Sequence, residues 1–282
     1  MTDFPRTDVG GVSMPRLLVG TNWFLGYSHT SRAQDQFIKQ YQSRQNMADI
    51  LTVFAEAGVD AVMGPHMTGD LHGAICDAEA RTGRSFSRII TPHFNILPGG
   101  EDDMEPERVF ARCKDEGATF CLPHQGVTDA LVDRREKKIR DLDIYTKMIR
   151  DHDMIPGLST HMPESIVYAD AQDADVETYI QLYNASGFLM QVEADWVMRI
   201  ISNARKPVMT IKPLAAGRLL PVVGMSFVWN TIRDQDMVTI GTTTPDEARE
   251  IIDISRELLE RRVPDYELQA TRSKSSLSTA AG

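Results

Sequence analysis

A closed (β/α)8 barrel is the fold class this sequence predicts, on three observations. One phrase recurs along the chain: residues 59–66 read VDAVMGPH, 87–93 SRIITPH, 119–124 TFCLPH and 154–161 MIPGLSTH. Each is a short apolar run ending in histidine, and the repeat distance of roughly thirty residues is that of one strand-plus-helix unit. The runs are continuously apolar rather than alternating, as parallel strands covered by helices must be. Eight such runs alternate with eight helical patterns in 282 residues, a size that single α/β barrels commonly reach. The competing architecture, an open doubly wound sheet, normally begins with a Gly-rich turn. The first loop here, GTNWFLG, is not GxGxxG.

Residues 1–262 are expected to form one barrel domain. Residues 263–282 turn polar and lack apolar periodicity, so ordering entropy should leave this tail partly mobile. A formal charge of −10 argues against nucleic acid or an anionic membrane surface as partner, because phosphate binding needs clustered Lys and Arg. Cys76, Cys113 and Cys121 form no CxxC pair, which fits free thiols in a reducing compartment. No basic start followed by an apolar segment is present, and no run approaches about eighteen apolar residues. The expectation is a soluble cytoplasmic protein whose partner is a small molecule, with a homo-oligomer left open.

In chain order, the first strand is 16–20 (RLLVG), leading into the loop TNWFLGYSH. Ser31 suits a helix start, and 47–57 (MADILTVFAEA) shows helical spacing stopped by Gly58. Residues 68–82 read as a second helix stopped by Gly83. Pro106 opens a third that ends at Gly117. A long charged helix is expected over about 129–151, its Lys/Arg run a solvated face rather than a binding patch. Helix five is placed at 175–185, strand six at 188–192 (FLMQV) and strand seven at 207–211 (PVMTI). Strand eight is 237–240 (MVTI); Thr244 then caps helix eight with Pro245 as its first residue.

In a parallel barrel all strand ends carrying function lie at one rim. That rim is expected to present Asn22, His66, His93, His124, His161, Glu193, Lys212 and Thr242. Neighbouring strands lie about 4.8 Å apart, so residues on two or three of them can share a ligand. His66, His93, His124, His161 and Glu193 are therefore candidate ligands for zinc, manganese or iron, with water completing the shell. Lys212, His124 and Glu193 are the candidate catalytic groups, and Asn22, Trp23, His29, Gln125 and Gln191 the candidate substrate contacts. A single strand-end histidine is more often a hydrogen-bonded pocket residue than a ligand, and neither HExxH nor HxH spacing occurs. The metal reading thus rests on four histidines meeting at one edge. His72 falls within a helix pattern and His152 before strand five, so both read as structural, as does Cys121 within strand four. The Glu101-Asp102-Asp103 run reads as a solvated loop.

The last third of the chain resembles the aldo-keto reductases. The matching residues are Ile211-Lys212-Pro213-Leu214-Ala215-Ala216-Gly217-Arg218-Leu219, then Phe227-Val228-Trp229, then 238–248, VTIGTTTPDEA. The front is similar too, in Val19-Gly20-Thr21, Leu25-Gly26 and Ala55-Glu56-Ala57-Gly58-Val59. The resemblance implies a barrel and NADPH-dependent carbonyl reduction by an Asp, Tyr, Lys and His tetrad. Carried over residue by residue, the family's Asp falls at about Met63, its Tyr near Met67 and its Lys at Pro92 or His93. Only its His has a counterpart, His124. The family often grips the ribose phosphate with Lys or Arg after strand eight. Thr242, Thr243 and Thr244 stand here, followed by Asp246 and Glu247, and Arg249 is the nearby cation.

Three readings follow. The favoured one is a barrel enzyme of this ancestry acting on a small carbonyl or polyhydroxy compound through a His-rich, divalent-metal site, by isomerase, lyase or hydrolase chemistry. The second is an NAD(P)H-dependent reductase with a rearranged tetrad that uses His93 or His124 as proton donor, NADPH being the less favoured cofactor. The third is a non-catalytic barrel that only binds.

Overall fold

A computed structural model describes residues 3–97 and 99–264. Eight parallel barrel strands carry the predicted order: Leu17–Gly20, Ala61–Gly64, Ser87–Ile90, Phe120–Cys121, a fifth in two pieces, then Tyr179–Leu182, Val208–Ile211 and Met237–Ile240. Strand five closes the barrel. Its first piece, Ile155–Pro156, pairs with Phe120–Cys121, and its second, Leu158–Thr160, pairs with strand six. The switch of partner occurs at Gly157, where a Cβ would lie 2.7 Å from the Thr178 carbonyl oxygen and 2.8 Å from Leu122 Cγ. Only glycine fits that close approach.

A hairpin that the sequence reading did not anticipate, Arg6–Val9 paired with Val12–Pro15, precedes strand one. Its turn residues Gly10 and Gly11 both have positive φ, as a two-residue hairpin turn demands. Val9 and Met14 pack with Leu18, Ala61, Phe120, Ile180, Met209 and Met237, so the hairpin plugs the end of the barrel where the strands begin. Methionines supply Met14, Met63, Met209 and Met237 of this inner core, where flexible thioethers fill an irregular interior. The outer core lies between strands and helices and includes Val19, Phe54, Val62, Phe110, Tyr179 and Val238.

Several boundaries follow their local signals. Ser31 caps Arg32–Tyr41 by accepting from Gln34 N, and Thr244 caps Pro245–Leu259 by accepting from Glu247 N. Pro106 begins Pro106–Asp115, and Gly83 ends Gly69–Thr82 in the left-handed conformation. Two expectations are corrected. Strand six is Tyr179–Leu182, within the stretch assigned to helix five, and not 188–192. Its neighbours Thr178 and Tyr183 continue a β-branched and aromatic run that favours extended chain. Residues after it form a local turn: Asn184 Oδ1 accepts from Phe188 N at 2.8 Å, and its Nδ2 donates to Phe188 O at 3.0 Å. The long helix over 129–151 is two helices, Gln125–Leu131 and Leu142–Asp151, separated by the short ladder of Val132–Asp133 with Lys138–Ile139. Asp133 breaks the helical pattern by accepting from Arg135 N and Glu136 N, both at 3.0 Å. The tail beyond residue 264 lies outside the described residues.

Candidate functional site

The C-terminal rim is built by strands one, three, four, five and seven. Strand one runs into the loop carrying Asn22, Trp23 and His29. The end of that loop is anchored by Asp35, whose carboxylate accepts from Ser28 N at 2.8 Å and Ser28 Oγ at 2.6 Å. Ser28 thereby fixes the next residue, His29, which takes a left-handed backbone and meets Asn22 Nδ2 through Nε2 at 3.2 Å. Trp23 lies on the backbone after strand eight, where a Cβ on Gly241 would sit 2.7 Å from its Cδ1. These residues form one wall.

Opposite, the rings of His93 and His124 lie 3.8 Å apart. His124 caps the helix Gln125–Leu131, its Nδ1 accepting from Gly126 N at 3.1 Å. An acceptor Nδ1 leaves Nε2 carrying the hydrogen in the neutral ring, so the tautomer is set by the cap. Gly126 is required here, because a Cβ would come within 2.9 Å of His93 Cε1. His161 follows strand five and is held by a half-buried acid, Asp129. Asp129 accepts from His161 N at 3.1 Å and from the hydroxyl of Thr160, which also bonds Ser165. Burial raises the pKa of Asp129, against the lowering effect of these hydrogen bonds.

Lys212 directly follows strand seven with φ of 61°, outside the preferred range of a residue with a side chain. Among the described residues its ammonium makes neither a hydrogen bond nor an ion pair. Burial lowers its pKa to about 8. Its charge and the neighbouring imidazoles act on one another. His124 is lowered to about 4 by burial, then by His93, His161 and Lys212. His161 is lowered to about 4 by burial, then by Lys212 and His29. His29 is lowered to about 4 by burial and Lys212, against Asp35. His29 is the more solvent-exposed of these three rings, so water screens part of its shift and the half-buried His124 and His161 are the firmer cases. Burial also lowers His93, which is exposed at the rim. At neutral pH the result is uncharged imidazoles beside one unpaired cation.

The other predicted residues stand apart. His66 lies two residues beyond strand two, its Nδ1 3.1 Å from Thr68 Oγ1, and none of the shifts at the other rim histidines involves it. Gln191 and Glu193 are exposed in the segment before Ala194–Asn203, and Glu193 is that helix's N-cap instead of a strand-end group. Their placement falls with the mistaken sixth strand. Gln125 is the half-buried first residue of its helix. Thr242 is buried and its hydroxyl lacks a partner. His72 lies beside Cys76 Sγ on its helix, and His152 pairs with Glu107 at 2.9 Å. Among the described residues, no group of three or more His, Cys, Asp or Glu side chains is arranged to hold a metal ion. The five residues expected as ligands therefore do not fit one.

The donors after strand eight are also occupied. Glu247 accepts from Thr243 N at 2.6 Å and from Thr243 Oγ1 at 2.8 Å. A carboxylate thus fills the position where a phosphate would meet the helix N-terminus. A separate cleft of about 460 Å3, lined by Ile166, Val167, Trp196, Ile200 and Ala204 among others, lies between the helices Glu164–Ala171 and Ala194–Asn203 and contains none of the rim residues.

Asp35, Gly126, Asp129 and Gly157 shape the site but were not singled out from sequence.

No known protein family's pattern matches the sequence, and no curated protein matches it. Solved structures do. A Pseudomonas aeruginosa protein named for the aldo-keto reductases aligns with a TM-score of 0.64 at 15% identity, covering 92% of this chain and 99% of that one. Aldose reductase from Giardia lamblia aligns with a TM-score of 0.50 at 12% identity, covering 98% and 92%. A truncated 3-deoxy-D-arabino-heptulosonate 7-phosphate synthase from Thermotoga maritima gives 0.51 at 9% identity, covering 99% and 94%. These likenesses establish a (β/α)8 barrel, a fold this chain shares with those aldo-keto reductases, and at such identities they speak to fold alone.

Proposed function

We propose that this barrel is an enzyme acting on a small carbonyl or polyhydroxy compound, by isomerase or lyase chemistry that proceeds through an enolate. The observation that carries the reading is the ammonium of Lys212, unpaired among the described residues and at the same rim of the parallel barrel as His29, His124 and His161. A half-buried cation without a carboxylate partner is costly unless a ligand supplies negative charge. A substrate carbonyl oxygen beside Lys212 acquires such charge as the α-proton leaves, and the ammonium stabilises it. The base is an imidazole that stays neutral at pH 7. His161 and His124 meet that requirement, and the Nε2 hydrogen assigned to His124 by its cap makes His124 the donor and His161 the acceptor. Asn22 and His29 close the other side and suit substrate hydroxyls. No step is derived through a metal, because the ligand set does not fit one.

The test needs no knowledge of the product. Glycolaldehyde, glyceraldehyde and dihydroxyacetone are incubated with the protein in D2O, and exchange at the carbon next to the carbonyl is followed by proton NMR. Exchange well above the buffer rate is expected. It should fall by roughly 100-fold or more in Lys212→Met and in His161→Ala, the range for loss of an electrostatic or acid–base group. Exchange at the buffer rate for every such compound would overturn the reading.

A further inference from the structure

We infer that Lys212 does more than polarise the carbonyl: its amine condenses with a ketone or aldehyde substrate to form an imine at the rim. The inference rests on the carbonyl reading above and deepens it. Three observations on position carry it. Lys212 directly follows strand seven and holds a left-handed backbone, φ 61°, that a residue with a side chain rarely adopts. It is only partly exposed, and among the described residues no carboxylate lies within ion-pairing distance to hold it as an ammonium. It shares one rim with His29 in the loop after strand one, His124 after strand four and His161 after strand five, because all these strands run parallel.

A carboxylate partner would fix the proton on the amine and suppress nucleophilicity; imidazoles do not. Burial adds to this by lowering the lysine to about 8. At pH 7 that leaves roughly 200-fold more free amine than on a lysine of ordinary pKa near 10.4.

The step balances without any further reactant. The Nζ lone pair forms a bond to the carbonyl carbon as the C=O π bond breaks, giving a carbinolamine. Its hydroxyl then departs as water, the second amine hydrogen goes with it, and C=N forms. One carbonyl and one primary amine become one imine and one water. The N–H of His124, free because Nδ1 accepts from Gly126 N, can donate to the departing hydroxyl. Protonation of the imine from solvent yields an iminium that withdraws electrons from the α-carbon more strongly than a hydrogen-bonded carbonyl does.

The experiment uses the full chain and dihydroxyacetone at pH 7 with sodium cyanoborohydride, which reduces imines to stable amines. Intact mass and peptide mapping then locate the product, while histidine-ring NMR shifts on the same samples, without reductant, report binding. The expected result is alkylation at Lys212 at least 10-fold faster than at any other lysine. Lys212→Arg should abolish it while circular dichroism remains that of the wild type, and His124→Gln, which keeps a side-chain donor, should slow but not abolish it. Histidine shifts without selective alkylation of Lys212 would overturn the imine and leave the carbonyl reading standing. Neither shifts nor alkylation would overturn both.

Discussion

At the scale of single residues, the rim carries groups whose burial costs stability. Lys212 is lowered to about 8 by burial, so in the folded state its charge is disfavoured relative to the unfolded chain. The unfolded chain then binds more protons between about pH 8 and 10.5, and folding stability rises with pH across that window. Lys212→Met removes the cost at neutral pH and keeps the stem. It should raise stability by on the order of 1 kcal/mol, after allowance for partial exposure, while abolishing activity. Urea unfolding at pH 7 checks this, and a destabilised variant would contradict it. The imidazoles act at the other end of the scale. His124 and His161 are lowered to about 4 from 6.5, so the unfolded state takes up their protons first. Their contribution is complete above about pH 6.5 and is lost as pH falls towards 4. Acid unfolding of His124→Gln should accordingly depend less on pH over that interval than the wild type does. Because the ligand set does not fit a metal, chelator treatment at neutral pH should leave the melting temperature unchanged; a fall restored by one specific ion would revive the metal centre.

Elements set these residues at their angles. The first loop holds its place through Asp35 and Ser28, so Asp35→Ala should free His29 with little effect on the core. Loss of the charged hydrogen bonds corresponds to roughly 1–3 kcal/mol locally. Faster amide exchange confined to residues 22–30, with weakened substrate binding, is the expected signature. Strand five is less forgiving. A methyl group at Gly157 meets backbone oxygen on one side and Leu122 on the other, so Gly157→Ala should cost about 1–3 kcal/mol by overpacking and show as a lowered melting temperature. The histidine-terminated runs were legible because a continuous apolar strand and its terminal residue are local signals. Strand six was not: TYIQLY and FLMQV are equally apolar, and the deciding fact is that Asn184 folds the second into a turn. That one misplacement carried Glu193 and Gln191 to the rim on paper. The hairpin inside the expected long helix was hidden for a similar reason, since Asp133 acts through backbone hydrogens rather than through any periodicity.

For the molecule as a whole, closure was predictable from count and length, whereas convergence within the rim was not. Strand order says which side chains share an edge. It does not say that the rings of His93 and His124 meet, that His66 turns to Thr68, or that among the described residues Lys212 lacks a carboxylate. The likeness to aldo-keto reductases in residues 211–219 and 238–248 is a likeness of barrel construction. After strand eight, Thr243 and Glu247 satisfy each other, and Gln42 and Asn46 donate to Thr243 O at 3.3 and 3.1 Å. These contacts tie the last strand to the helix Arg44–Glu56 and leave a carboxylate where a dinucleotide phosphate would lie. NADPH is therefore expected to bind weakly, and micromolar affinity in a fluorescence titration would favour the reductase reading. Among the described residues no helix is long and apolar enough to cross a membrane.

The central claim is that Lys212 and the imidazoles around it form one site for an organic carbonyl. Nitrogen-15 NMR of the histidine rings, with dihydroxyacetone titrated at pH 7, tests it most directly. The account predicts saturable shifts at His29, His124 and His161 together, none at His72 or His152, and loss of all three shifts in Lys212→Met. Rings that do not respond, or that respond equally without Lys212, would contradict it.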